Sequence, residues 1–229
     1  NLSINDISTY QTDKYWIAEG SKGLRSIQRK GSNSFEALNE PIILDGPYSN
    51  SAFDIVCKND KVYMIIGGKD LLNGKRFDKG GYILTYDYDK WSFIDPKEAQ
   101  KKLNLPRNPR DYTSIAVTTD DSNDEIVYAS SMGDGVIQYK NGTPVQSYNE
   151  KNAFKETAGG YGSGYCYIDG LAFDKNGNLW MTSSEVNHAV LVLDKAGAWH
   201  RLDIEQLRGV YTINDILITS TNDKWIYVP

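Results

Sequence analysis

Short stretches of alternating apolar and polar residues, separated by clusters of Asn, Asp, Gly and Ser, run the length of the chain. A period of two with turn residues between the runs is the pattern of β-strands that each bury one face. Residues 166–204 show it most clearly. Strands are predicted at Ile168 to Phe173, Leu179 to Ser183, Ala189 to Leu193 and Ala198 to Leu202, with turns at Asp174-Lys175-Asn176-Gly177-Asn178 and Asp194-Lys195-Ala196-Gly197. The same four-strand unit is predicted earlier at Ile4 to Ser8, Tyr15 to Ala18, Leu24 to Ile27 and Phe35 to Leu38. It returns at Ala52 to Val56, Val62 to Ile66, Tyr82 to Tyr86 and Trp91 to Ile94, and at Thr113 to Val117, Ile126 to Ser130, Val136 to Tyr139 and Val145 to Tyr148. Asn141-Gly142 is a strong hairpin signal within the third unit, because both residues tolerate positive φ. One helix is expected, at residues 96–103, opening on a proline and ending before Pro106.

The units are copies of one another. Ile4-Asn5-Asp6-Ile7 recurs unchanged as Ile213-Asn214-Asp215-Ile216, and an aromatic anchor follows in each copy at 16, 63, 128, 180 and 225. That spacing suits β-propeller blades of about 40 to 50 residues with insertions. The expected fold is therefore an all-β, four-stranded antiparallel propeller. The blades fall at about 1–40, 50–95, 112–149 and 166–204, with a partial blade at 211–229, forming a single domain. Four and a half blades would leave an apolar blade face without a neighbour, so the chain is expected to be a segment of a larger, about seven-bladed ring, with self-closure into a small ring as the alternative.

Strand direction alternates, so the second-to-third-strand loops and the blade-to-blade connections emerge together on one face. The long segments, residues 67–81, 95–112 and 149–167, all belong to it. Long loops on a rigid scaffold are where binding usually resides. Candidate binding residues on that face are Lys69, Arg76, Arg107, Arg110, Tyr161, Tyr165 and His188. Arginine forks pair with carboxylate or phosphate and tyrosines stack on sugar faces, a combination suited to an acidic glycan.

Charge and composition narrow the function further. The formal net charge of −5 makes a nucleic-acid partner unexpected. No stretch approaches the roughly 18 apolar residues of a membrane span. Two histidines cannot supply a multi-histidine metal site, and no cofactor is expected. Asp174-Lys175-Asn176-Gly177-Asn178 begins like a Ca²⁺ loop but has Ser183 where the bidentate acid is needed, so it reads as a hairpin turn. The acidic run at residues 120–125 reads as a solvated turn. The strand acids Asp6, Asp54, Asp169 and Asp215 recur across blades, which points to a role in the repeat and away from catalysis. Cys57 and Cys166 lie in non-adjacent units and are expected to stay reduced.

Several segments resemble a known group: Gly23-Leu24-Arg25-Ser26-Ile27, Gly133-Asp134-Gly135-Val136-Ile137, Gly170-Leu171-Ala172-Phe173 continuing to Thr182, and Asp223-Lys224-Trp225. Together they resemble the two-component-regulator type of β-propeller of Bacteroidetes, and within it most closely the amino-terminal propeller of the PorZ-like type IX secretion proteins. The resemblance implies an extracytoplasmic chain, in the periplasm or at the cell surface, serving as a non-catalytic binding or scaffold module. Its implied partners are other secretion or envelope proteins or a surface glycan, together with further propeller strands and carboxy-terminal domains of a parent chain. Two other readings follow from the same features: the ligand-sensing propeller of a hybrid two-component regulator that recognises oligosaccharide, and a carbohydrate-active enzyme.

Overall fold

The computed structural model describes residues 6–18, 23–42, 45–154 and 164–229, and the chain divides into two compact units, Asn1–Gly46 and Pro47–Pro229. The first unit holds one antiparallel sheet in sequence order, β1 (Asp6–Gln11), β2 (Lys14–Ala18), β3 (Leu24–Arg29) and β4 (Phe35–Ala37). Its buried anchor is Ile17, and Asn39 fastens the sheet by accepting from the Ser26 amide and hydroxyl at 2.7 and 2.6 Å.

The second unit repeats that design. One blade is β5 (Ala52–Lys58), β6 (Lys61–Ile66), β7 (Ile83–Tyr86) and β8 (Trp91–Ile94). Helix α1 (Pro96–Leu103) follows, with Asp95 accepting from the Lys97 amide at 2.9 Å as its N-cap and Asn104 left-handed at its end. Next come β9 (Tyr112–Thr119), β10 (Glu125–Gly133), β11 (Gly135–Lys140) and β12 (Thr143–Tyr148). The fourth set is β13 (Cys166–Phe173), β14 (Leu179–Ser183), β15 (Val190–Leu193) and β16 (Trp199–Leu202), and the fifth is the two-stranded sheet β17 (Asp215–Ile218) and β18 (Lys224–Tyr227). This is the all-β propeller architecture that the repeat predicts, with strand positions shifted at their ends by no more than a few residues.

One feature of the sheets departs from the sequence reading. The β9–β12 and β13–β16 blades are not separate sheets, because β10 runs on past Ser130 to Gly133 and pairs with the start of β13 through Met132 with Tyr167 and Gly133 with Cys166. A register shift at Ser130/Ser131 turns the strand end toward its new partner.

Blades within this unit pack face to face, so the middle ones are covered on both sides and β9, β10, β14 and β15 are buried along nearly their whole length, their Ser and Thr residues included. Tyr63, Ile65 and Ile83 meet Ile115, Val117, Val127 and Ile137 in one core, which Ala99 of α1 closes. Ile126, Tyr128 and Val136 meet Ile168, Leu171, Leu179 and Met181 in the next. The inner strands are stapled by polar side chains. Ser114 donates to Asp54 at 3.1 Å and accepts from the Leu171 amide at 3.2 Å, and Asp54 also accepts from the Ile115 amide at 3.0 Å. Three blades are thus joined through one hydroxyl.

Both cysteines are free, Cys57 exposed on β5 and Cys166 buried.

Candidate functional site

One long departure from the sheets, residues 67–82, begins at Gly67 and Gly68, both at positive φ. A Cβ at Gly67 would stand 2.2 Å from the Tyr112 amide nitrogen, and one at Gly68 would stand 2.1 Å from the Phe53 ring. Only glycine lets the loop turn inward here. The turn carries Lys69 into the protein, where it is 1% exposed. Its ammonium pairs with Asp169 and donates to Thr212 Oγ1 at 3.1 Å and the Ile213 carbonyl at 2.7 Å. Asp169 also accepts from Ser184 Oγ at 2.6 Å, and Ser184 in turn accepts from the Ile213 amide. Lys69, read from the sequence as an exposed binding cation, is in this structure an internal strut between the β5–β8, β13–β16 and β17–β18 blades. Its charge is neutralised inside the fold and does not reach the loop face.

Beyond Lys69 the chain doubles back on a turn in which Asp70 accepts from the Leu72 and Asn73 amides at 2.9 and 3.1 Å. Arg76 returns opposite Lys69 through an isolated bridge. The Arg76 guanidinium donates to Asp78 at 2.8 Å and to the Met132 carbonyl at 3.4 Å, with its Nε 3.8 Å from Asp111. Asp111 is fully buried in a left-handed conformation; one of its oxygens accepts from the Lys79 amide and the other has no hydrogen bond. Burial pushes its carboxyl above the ordinary range, and the Lys79 amide and Arg76 oppose that rise.

Arg107, on the connection after α1, donates through Nε to Asp134 at 2.7 Å and through Nη1 to the Tyr165 hydroxyl at 3.3 Å. Its guanidinium carbon also lies 4.8 Å from the Tyr165 ring centroid. Asp134 accepts from the Arg110 amide at 3.1 Å, and the Arg110 guanidinium reaches Asp78 at 3.9 Å. Gly133, at φ 131°, is where these groups converge. A Cβ there would lie 3.3 Å from Arg76 Nη1, 3.3 Å from Tyr165 Cδ1 and 3.5 Å from Arg107 Nη2.

The structure therefore brings Arg76, Arg107, Arg110 and Tyr165 together. His188 is not among the residues that border this cluster and lies near Asp203, whose carboxyl Arg208 holds below the ordinary carboxylate range. Tyr161 lies outside the described residues. Sequence reasoning missed Asp78, Asp111 and Asp134, whose loops meet only in three dimensions, as well as Tyr167, Glu185 and Tyr211. These last three, with Arg76, Asp78 and Tyr165, border a cleft of about 460 Å³. Each arginine already has a carboxylate near it, so the cluster is not a positive patch but a set of oriented guanidinium planes beside tyrosines.

The strand acids hold structure. Asp54 staples blades and Asp169 holds Lys69, while Asp6 and Asp215 accept from the amides of Ile7 and Ile216 at 2.8 Å. Asp120 and Asp124 of the acidic run both hold Lys140 at 2.8 Å, and Asp174 accepts from two turn amides and from the Trp180 indole at 3.0 Å. Among the described residues no group of three or more His, Cys, Asp or Glu is placed to hold a metal ion, and no helix is long and apolar enough to cross a membrane.

The fold and loop-face cluster define a propeller-type β protein. No protein-family profile and no curated protein matches the chain. Among solved structures it is similar to PorZ, described as an essential bacterial surface component of the type IX secretion system of Porphyromonas gingivalis, with a TM-score of 0.68 at 22% identity over 98% of this chain and 29% of that one. It is also similar to the extracellular domain of a hybrid two-component system of B. thetaiotaomicron, with a TM-score of 0.48 at 18% identity over 96% of this chain and 26% of that one. The chain thus spans under a third of the length of either.

Proposed function

We propose that the chain is a non-catalytic, extracytoplasmic recognition propeller that serves type IX secretion at the cell surface by docking an envelope or secretion protein on its long-loop face. The observation that carries this reading is the convergence of Arg76, Arg107 and Tyr165 on Gly133. Arginine and tyrosine are the residues most enriched at protein-interface hot spots, and here their side chains are held in place before any partner arrives. The fold likeness to PorZ supports the secretion setting. The employment of Asp54 and Asp169 in structural contacts supports the absence of catalysis.

The test is deletion of the gene in its own bacterium, followed by complementation with the full-length protein carrying Arg107→Ala and Tyr165→Ala. Loss of exported proteins from the cell surface, restored by the native protein and not by the variant, is the expected result. An intact surface proteome, with loss instead of a transcriptional response to a polysaccharide, would replace this reading with the sensor.

A further inference from the structure

On the side of the short hairpin turns, the β9–β12 and β13–β16 blades part to leave a cleft of about 700 Å³. Its floor is aromatic. Tyr128 and Tyr148 lie 6.4 Å apart with their rings 24° from parallel, Phe173 meets Tyr128 edge-on at 5.9 Å, and Trp199 meets Tyr148 edge-on at 5.4 Å. Tyr148, Phe173 and Trp199 are each only partly buried.

Tyr128 is the telling residue. Its side chain is 91% buried and lines this cleft, while its hydroxyl, which makes no hydrogen bond among the described residues, is not among the buried polar atoms and opens to the cleft. The same repeat position one blade earlier shows the satisfied form: the Tyr63 hydroxyl donates to Glu125 at 2.5 Å, and Glu125 also takes Lys61 at 2.8 Å. The open hydroxyl of Tyr128 is therefore particular to this cleft and not imposed by the repeat. Beside it, Tyr148 donates to Gln138 Oε1 at 2.8 Å, which turns the Gln138 amide group into a free donor. The Asn176 side chain lies at the rim.

Charge selects the ligand. Most of the rim's charged groups face one another, Lys140 with Asp120 and Asp124, Lys195 with Asp121 at 3.6 Å, and Asp194 with His200 at 2.7 Å, which leaves Lys175 as the one lining charge with no ion pair among the described residues. Partly exposed aromatic faces, an unspent hydroxyl and side-chain amides without net charge suit the apolar faces and hydroxyls of a sugar ring. We propose that this cleft binds an uncharged saccharide, stacked on Trp199 and Tyr148 and hydrogen-bonded by Tyr128, Gln138 and Asn176. It is a second site, separate from the loop face.

The experiment is titration of the full-length protein with maltotetraose, cellotetraose, xylotetraose and mannotetraose, and with decaproline as a peptide competitor for aromatic grooves, read by tryptophan fluorescence and calorimetry. At least one tetrasaccharide should saturate. Tyr128→Phe should weaken it about tenfold, the loss of one hydrogen bond, with little change in melting temperature. Trp199→Ala should weaken it more, and Arg107→Ala should leave it unchanged. The proposal falls if no tetrasaccharide saturates, if decaproline binds in their place, if both cleft variants bind as tightly as the native protein, or if Arg107→Ala abolishes binding.

Discussion

The ammonium of Lys69 and the carboxylate of Asp169 meet across one hundred residues of sequence, in a site that excludes water from both. Burial raises the Asp169 carboxyl from its ordinary 3.8 to about 6, while Lys69 and Ser184 pull it back. Removing one partner of such a pair leaves an uncompensated charge, which typically costs about 3 to 5 kcal/mol. Lys69→Met should therefore lower stability by about that amount near neutral pH, as read by chemical denaturation.

The pH dependence of that loss has a definite sign. Without Lys69 the folded-state value of Asp169 rises further, so its contribution favours the fold below about 3.9, the unfolded value, and is lost as pH rises through the folded value. The melting-temperature gap between native protein and Lys69→Met should be narrow at pH 4 to 5 and wide at pH 8. A gap that is constant with pH would mean that Asp169 carries no buried charge.

Asp54 accepts from Ser114 and from the Ile115 amide on the neighbouring blade. Replacing it by Ala removes two charge-assisted bonds, each worth about 1.5 to 3 kcal/mol. The half-exposed setting places the expected total near the low end, about 3 kcal/mol. Hydrogen exchange at Ile115 should accelerate in step.

Gly170 has room for no side chain. A Cβ would stand 2.6 Å from the Ile216 amide nitrogen and 2.8 Å from Asp215 Cα, both on β17. Gly170→Ala should push β17 off β13 and destabilise by about 1 to 3 kcal/mol. The β17–β18 amides should lose protection before those of β9 and β10.

The two thiols should separate cleanly in a labelling experiment. Cys57 is exposed, whereas Cys166 is buried and its thiol is pushed up to about 12, chiefly by burial. A disulfide reagent should titrate one thiol per folded chain at pH 8, and the second only after denaturation.

Much of this protein was legible in its sequence because the information is local. A period of two, the hairpin chemistry of Asn141-Gly142 and Asp174 to Asn178, and the returning aromatic anchors define strands, turns and blades, since each depends on residues within a few positions of one another. The same locality placed α1 at Pro96–Leu103 and put Arg76, Arg107, Arg110 and Tyr165 on loops of one face. The fate of each charge depended on partners that no local pattern names. Lys69 and Arg76 lie on one loop, yet two glycines turn the first inward to Asp169 while the second stays at the surface beside Asp78 and Asp111. Tyr63 and Tyr128 hold the same place in the repeat, yet only the first has a Glu125 to receive its hydroxyl. Sequence by itself determined the repeated strands, because backbone pairing and alternation are short-range. Only the tertiary structure decided which charges and hydroxyls are spent within the fold and which remain for a ligand, because burial and pairing are set by what neighbouring blades bring into contact.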